Sequence, residues 1–417
     1  MPNPFLKRFV LLSLLCGLFL GGCNETDLVG ELDGEDWSEG LNLPEADFTP
    51  AERLEVVTWT DYIPDDVFAL FEKTYGTRVE PTLVGSNEDM LERFEKKPGR
   101  FDVLTASDYM VAVMIGKGLL HGIDHAHFSN VQSLDEDMLR VWYDRGLRHS
   151  IPLFRISLGV AFNIKYVSGI PRSWDYLHEQ VRNEYLAFRF GIVGEMRFAM
   201  GMALILDGHS PNSRDPAEIA AAGDRLVHAV EHYGMTLFGA DAGDRALADN
   251  DVLLALTWNG LGAEVLKKNT DIRFLLPEGQ VLVAYDNLVI AAESRRVRTA
   301  ELFIDFLLTP QVMAHVTNYN HFPNSNSLSM PFVEPIVRNG PGYLLPDEEN
   351  RQFLQDVGES IRYYEAAWKR VLEADPLPSL VKLPLPRDGF FRGGTAPIDF
   401  AKDLKRQEGL SGAGCDP

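Results

Sequence analysis

The chain has 417 residues, 45% of them hydrophobic and 24% charged, enough for two domains or one large one with a packed core. A formal net charge of −22 argues against nucleic acid, whose phosphates demand a basic face, and would suit a cationic ligand, although it also serves solubility alone. The three cysteines leave no internal disulfide and no cysteine-rich metal site, because Cys16 and Cys23 lie in the N-terminal segment and Cys415 near the other end.

Lys7 and Arg8 give a positive start, and Phe9 to Leu20 an apolar run too short for a comfortable membrane span. Leu20-Gly21-Gly22-Cys23 closes it. The segment resembles a bacterial lipoprotein signal, which implies removal of residues 1–22, lipidation of Cys23 and a place in the periplasm or cell envelope, anchored to a membrane. Residues 23–51 are then the lipidated cysteine and a flexible acidic tether. Asn24 to Pro50 is rich in Asp, Glu, Gly and Asn and too poor in apolar residues for a core.

The folded part opens with a strand from Leu54 to Trp59. Pro64 to Tyr75 reads as a helix stopped by Gly76. Thr77 to Val84 is a second strand, and Ser86 caps a helix from Asn87 to about Lys97. Phe101 to Thr105 is a third strand, followed by a helix from Tyr109 to Lys117. Alternation of this kind implies a mostly parallel sheet covered on both faces, with ligands bound beyond the carboxyl ends of its strands. Those ends carry Trp59-Thr60-Asp61-Tyr62 and Ser107-Asp108-Tyr109.

Ser150 to Arg155 crosses into a second region. There Leu186 to Val193 reads as a strand, and Glu195 to Leu206 and Pro216 to Tyr233 as helices. Val252 to Thr257 is a strand ending at Trp258-Asn259-Gly260. Gln280 to Ala292 is strand-like with Asp286 inside it, and Thr299 to Leu308 is a helix stopped by Pro310. After about Asp375 the chain is Pro- and Gly-rich and reads as a C-terminal extension, 376–417.

Several of these stretches, in this order, resemble the periplasmic spermidine/putrescine-binding proteins of polyamine ABC transporters. They are Trp59-Thr60-Asp61-Tyr62, Ser86-Asn87-Glu88, Phe101-Asp102-Val103 through Ser107 and Tyr109, Ser150-Ile151-Pro152, Trp258-Asn259-Gly260, Asp286, Phe306-Leu307-Leu308 and Asp356-Val357-Gly358. The resemblance implies an α/β, two-lobe periplasmic-binding-protein fold (type II). Each lobe is a mostly parallel sheet flanked by helices, with hinge crossovers between lobes. Lobe one would be 52–152 plus 285–331, and lobe two 153–284 plus 332–375. It also implies a monomer without cofactor or metal. Such a protein captures a small amine, putrescine, spermidine or a relative, and delivers it to an ABC permease.

A polyamine needs carboxylates at the spacing of its nitrogens and aromatic faces for its methylenes and cations. A carboxylate–ammonium contact at about 4 Å is worth roughly 4 kcal/mol before desolvation at an effective dielectric near 20. By the resemblance, Trp59, Thr60, Asp61 and Tyr62 line one wall, Ser107 and Tyr109 face them, and Glu195, Phe198 and Trp258 come from lobe two. Asp286 is the central carboxylate, and an Asp inside an apolar strand has a poor structural explanation, because a buried unpaired carboxylate is costly. Asp61 has another reading, as an acid at a helix start. Phe198, Ala284, Leu261 and Phe322 depart from the family pattern. Phe198 stands in place of a second carboxylate and Ala284 in place of a Trp, so a roomier, less anionic pocket is expected. A Glu at position 198 is expected to strengthen polyamine binding. A monoamine, a substituted polyamine or an amino-acid-derived amine fits this charge count better than unmodified spermidine.

His121, His125 and His127 could hold zinc, but a solvated loop explains them as well. Glu231-His232 lacks a spaced partner. Arg295-Arg296-Val297-Arg298 reads as a solvated turn. There is no P-loop, dinucleotide fingerprint or nucleophile elbow, and no triad is suggested, so the chain is not expected to be an enzyme. A ligand-sensing protein of the same fold, docking on a membrane receptor, is the alternative to transport, as is a binder of a less cationic ligand.

Overall fold

The computed structural model describes residues 37–167, 169, 173, 184–260, 265, 268–386 and 389. The expected signal 1–22, Cys23, Leu261 and most of the C-terminal extension lie outside them. From Gly40 onward the chain forms one compact unit, to which everything below belongs.

β1 (Arg53–Trp59) is buried along nearly its whole length. α1 (Asp65–Tyr75) begins after Pro64, already fixed at φ −69°, and ends at Gly76, whose φ of 70° suits a residue without Cβ. β2 (Arg78–Val84) lies parallel to β1. Ser86 caps α2 (Asn87–Lys96) by accepting the Asp89 N–H at 3.1 Å. Ser86→Ala is therefore expected to lower the unfolding free energy by about 1 kcal/mol in urea denaturation, with an unchanged circular dichroism spectrum.

β3 (Val103–Ser107) runs two residues later than expected, which puts Ser107 at the strand's end rather than beyond it. The reason is Asp102. Its buried carboxylate accepts the Glu55 N–H at 2.9 Å and pairs with Arg296 at 3.0 Å, so it anchors the approach to the strand. α3 (Asp108–Gly116) follows directly.

β4 (Ser150–Asn163) is the long crossing strand. β5 is only Phe190–Val193, shorter than expected, because a single 3₁₀ turn occupies 184–186 and Phe188 sits at φ 60°, which no strand accommodates. Then come α4 (Met196–Leu206), α5 (Pro216–Tyr233), β6 (Thr236–Phe238), α6 (Ala240–Ala248), β7 (Leu254–Trp258), β8 (Ile272–Leu275) and β9 (Val281–Ile290). α7 (Val297–Leu307) ends before Pro310, which is the first residue of α8 (Pro310–Asn320) rather than a stop; its missing N–H costs nothing there. β10 (Arg351–Phe353) and α9 (Ile361–Leu372) complete the described elements that matter to the site.

The strand order is β2-β1-β3-β9-β4-β7-β5-β6, with β10 on β9 and β8 on β4. β1, β2 and β3 are parallel, as are β5, β6 and β7. β9 and β4 join these two parallel halves as antiparallel strands. Residues 150–157 of β4 pair with β9, and residues 158–162 pair with β7. Every residue of β9 is buried, because neighbours flank it on both edges. The sheet therefore continues from one half to the other through two strands, and the helices pack against each half separately.

Two ends of the chain are more firmly held than a flexible tether and tail imply. The Tyr75 hydroxyl donates to the Pro44 carbonyl at 2.8 Å, and Arg298 pairs with Asp47 at 2.9 Å and covers the Phe48 ring at 4.7 Å. Residues 44–51 thus lie along α1 and α7, and the expectation of flexibility up to Pro50 is corrected there. At the other end the Leu377 N–H donates to the Glu231 carbonyl, and Arg189 to the Leu383 carbonyl.

Candidate functional site

The carboxyl ends of β1 and β3 from one half, and of β5 and β7 from the other, meet at a cavity of about 490 Å³. Trp59 ends β1, Ser107 ends β3, Glu195 lies two residues past β5, and Trp258 ends β7; all four line the cavity. This is where parallel α/β sheets place ligands, because side chains there leave the ladder and backbone donors are free. Thr60, Asp61, Tyr62 and Asp286 also line it, so eight of the ten residues expected at the site converge on one space.

Asp286 is its centre. It pairs with Ser107 on β3 and with Phe154 on β4. The residue is 2% exposed and its carboxylate accepts three hydrogen bonds. The Tyr62 hydroxyl donates to Oδ2 at 2.7 Å, the Trp59 Nε1–H to the same oxygen at 3.2 Å, and the Ser107 hydroxyl to Oδ1 at 2.7 Å. Burial pushes its pKa up, while the three donors pull the other way. The Tyr62 phenol is pushed well above its ordinary value by burial and by that carboxylate. Tyr62 is held in turn by Phe154, edge-on at 5.2 Å, and by Phe322 at 5.8 Å.

Asp61 is exposed on the cavity wall at φ 52°, a left-handed conformation that Asp tolerates better than most residues. The first-turn acids of α1 are Asp65 and Asp66, so the helix-start reading passes to them. The Tyr319 phenol, also on the wall, is hydrogen-bonded to Asp61.

Across the cavity, Glu195 stands at the N-cap of α4 but caps nothing. Its Oε1 instead accepts the Trp258 Nε1–H at 3.2 Å. Burial, then the charges of Glu88 and Asp286, push its pKa up to about 8. Phe198 packs edge-on against Trp258 at 4.6 Å.

Two expected residues stand elsewhere. Phe198 is 1% exposed and off the lining: it supports Trp258 from behind. It comes from the first turn of a helix buried from Met196 to Ile205, so a Glu there would be a buried charge, and strengthened polyamine binding is no longer expected. Tyr109 is 2% exposed and likewise off the lining, its hydroxyl donating to Glu88 Oε1 at 3.0 Å. Ala284 is fully buried opposite Ile156, on the face of β9 shared with Asp286. Phe322 does reach the lining.

Other residues at or beside the cavity were passed over. Asp108, fully buried, accepts the Tyr109 N–H at 2.8 Å through Oδ1, while Oδ2 has no partner. Burial pushes its carboxyl well above the usual range. Arg245 of α6 and Lys268 bring two cations to the lining, Lys268 pairing with Asp249. Arg197, buried in α4, had a readable signal: a lone Arg in an apolar helix, as anomalous as the Asp in β9. The three histidines do not converge, since His125 bonds to the Leu147 carbonyl and His127 to Glu301; no metal-holding cluster occurs among the described residues.

Residues 66–331 match the family described as bacterial extracellular solute-binding protein. The spermidine/putrescine-binding periplasmic protein of Escherichia coli is 28% identical over 80% of this chain and 94% of its own length. A solved structure described as a putative spermidine/putrescine ABC transporter from Listeria monocytogenes superposes with a TM-score of 0.72 at 25% identity, covering 77% of this chain and 99% of its own. A lipoprotein of Treponema pallidum does so with a TM-score of 0.67 at 27% identity, covering 76% and 99%. These neighbours share the two-lobe type II binding-protein fold with this chain.

Proposed function

We infer, from a chain that belongs to the bacterial extracellular solute-binding proteins, that its cleft captures an amine-bearing solute and delivers it to an ABC importer without covalent chemistry. The carrying observation is Asp286, a carboxylate on a central strand, buried yet facing the cavity and walled by Trp59, Tyr62 and Trp258. Anionic oxygen flanked by aromatic faces is the chemistry that recognises an alkylammonium. Asp61 and Glu195 supply further carboxylates on opposite walls. The names of the relatives, spermidine/putrescine-binding, support the same class.

The proposed lobes are 52–152 plus 285–331 and 153–284 plus 332–375. Two of the crossings then fall inside β4 and β9, where pairing passes from one half to the other. Closure by bending of these strands would bring Glu195 and Trp258 onto a ligand resting on Asp286. A monomer tethered to the envelope through lipidated Cys23 completes the reading. The N-terminal sequence supports it, as does the description of the Treponema relative as a lipoprotein. A second reading, a less cationic ligand, is favoured by Arg245 and Lys268 on the same lining.

Thermal unfolding of the protein from Asn24 onward, titrated with putrescine, spermidine, agmatine and neutral controls, tests this. A bound amine at a hundred times its dissociation constant is expected to stabilise the fold by about 2.7 kcal/mol. No shift with any amine would overturn it.

A further inference from the structure

The charges that line the cavity are divided between its walls. On the side built from β1, β3 and β9 they are Asp61 and Asp286, both acids. Arg245 and Lys268, the cations among the described lining residues, come from the opposite side. Asp244, Arg245 and Ala248 turn one face of α6 to the cavity, as residues three and four apart on a helix do. Lys268 joins that face from outside the helix. Its ammonium pairs with Asp249, which directly follows α6 and lies one turn beyond Arg245. The pairing holds both cations along a single strip.

Glu195 belongs to the other end of the cavity. The charges that act on it are those of Glu88 and Asp286. Asp286, Asp61 and Glu195 thus form an anionic end, and Arg245 and Lys268 a cationic strip that includes Asp244. Both cations are exposed, so they would meet a ligand at the mouth of the cavity rather than at its floor. A diamine seated on Asp286 would carry its second ammonium toward like charge. A carboxylate at that end would meet a planar guanidinium fork, which takes both oxygens at once, with an ammonium beside it.

We propose that Arg245 and Lys268 read a carboxylate on the ligand, so that the cleft takes an ω-amino acid, a chain with an ammonium at one end and a carboxylate at the other, in preference to a diamine of the same length. The proposal rests on the amine reading of the cleft and adds the chemistry of the ligand's far end. 4-Aminobutanoate and putrescine have the same carbon count and share one terminal ammonium, as do 5-aminopentanoate and cadaverine. Each pair differs only in a carboxylate against a second ammonium, and butylamine has neither.

The test is calorimetric titration of these five compounds into the wild-type protein and into the double variant Arg245→Gln, Lys268→Gln. In at least one pair, wild type is expected to bind the amino acid about tenfold more tightly than the diamine. The variant is expected to lose about tenfold for that amino acid, the effect of one charge-assisted contact, and to gain affinity for the diamine. Both substituted side chains are exposed, so the fold should persist, which circular dichroism checks. Diamines binding wild type as tightly as the amino acids in both pairs overturns the proposal, whatever the variant does, and leaves the amine reading standing. Amino acids binding no more tightly than butylamine overturns it too, because the carboxylate then goes unread. An unaltered ratio in a folded variant has the same consequence. Binding of none of the five by wild type overturns the amine reading and this proposal with it.

Discussion

Asp286→Asn is expected to weaken amine binding by about a hundredfold or more, because truncating one partner of a buried charge pair costs about 2–5 kcal/mol. The substitution preserves volume and strand pairing, so the comparison isolates the charge. Asparagine offers one oxygen in place of two. Of the three donors that now meet on the carboxylate, from Trp59, Tyr62 and Ser107, at least one would face an amide N–H instead. Its loss is offset, because burial already disfavours the ionised form of Asp286. A carboxyl with a raised folded pKa contributes most at low pH, and that contribution is lost as pH rises above its unfolded value, about 3.9. The uncharged variant escapes that loss, so its unfolding midpoint at neutral pH should stay close to wild type. Calorimetric titration with putrescine, beside circular dichroism, reads both quantities. Unaltered affinity in a folded Asp286→Asn would place the cleft elsewhere.

Why Asp286 was legible while Arg197 was overlooked is instructive. Both are charged residues inside apolar elements, and each has to find partners in a dry interior. The strand residue lay in an ordered set of motifs, which lent it a role. The helix residue sat between two positions that the resemblance had claimed, Glu195 and Phe198, and was read past. The parallel halves followed from alternation and from stops such as Gly76, which carry their own conformational signature. Other parts depend on contacts across long stretches of chain. Asp102 delays β3 because it bonds Glu55 and Arg296, far away in sequence. No local pattern in 44–51 announces that Arg298 will hold Asp47 and Phe48. The inward burial of Phe198 depends on where Trp258 and Tyr109 come to rest, which spacing alone does not fix.

Glu195 makes the affinity of the cleft depend on pH. In the empty protein its carboxyl is raised from 4.5 to about 8, by burial first and then by Glu88 and Asp286, so near neutrality it holds a proton that the unfolded chain releases. Its contribution to stability is full below about pH 4.5, falls as pH rises to about 8, and is level beyond. Binding runs the other way. An alkylammonium keeps its proton throughout this range, as a lysine would, and meets Glu195 best when that carboxyl is ionised. Ligand uptake then expels one proton. Affinity should climb tenfold per pH unit well below 8, about fiftyfold between pH 6 and pH 8, and flatten above. Glu195→Gln keeps an oxygen for the Trp258 indole and cannot titrate; its affinity should be lower at pH 8 and nearly flat across the range. Calorimetry in two buffers of different ionisation enthalpy counts the proton directly. A flat wild-type profile with no proton released would mean that the ammonium never reaches Glu195, and that Asp286 and Asp61 hold it alone on the opposite wall.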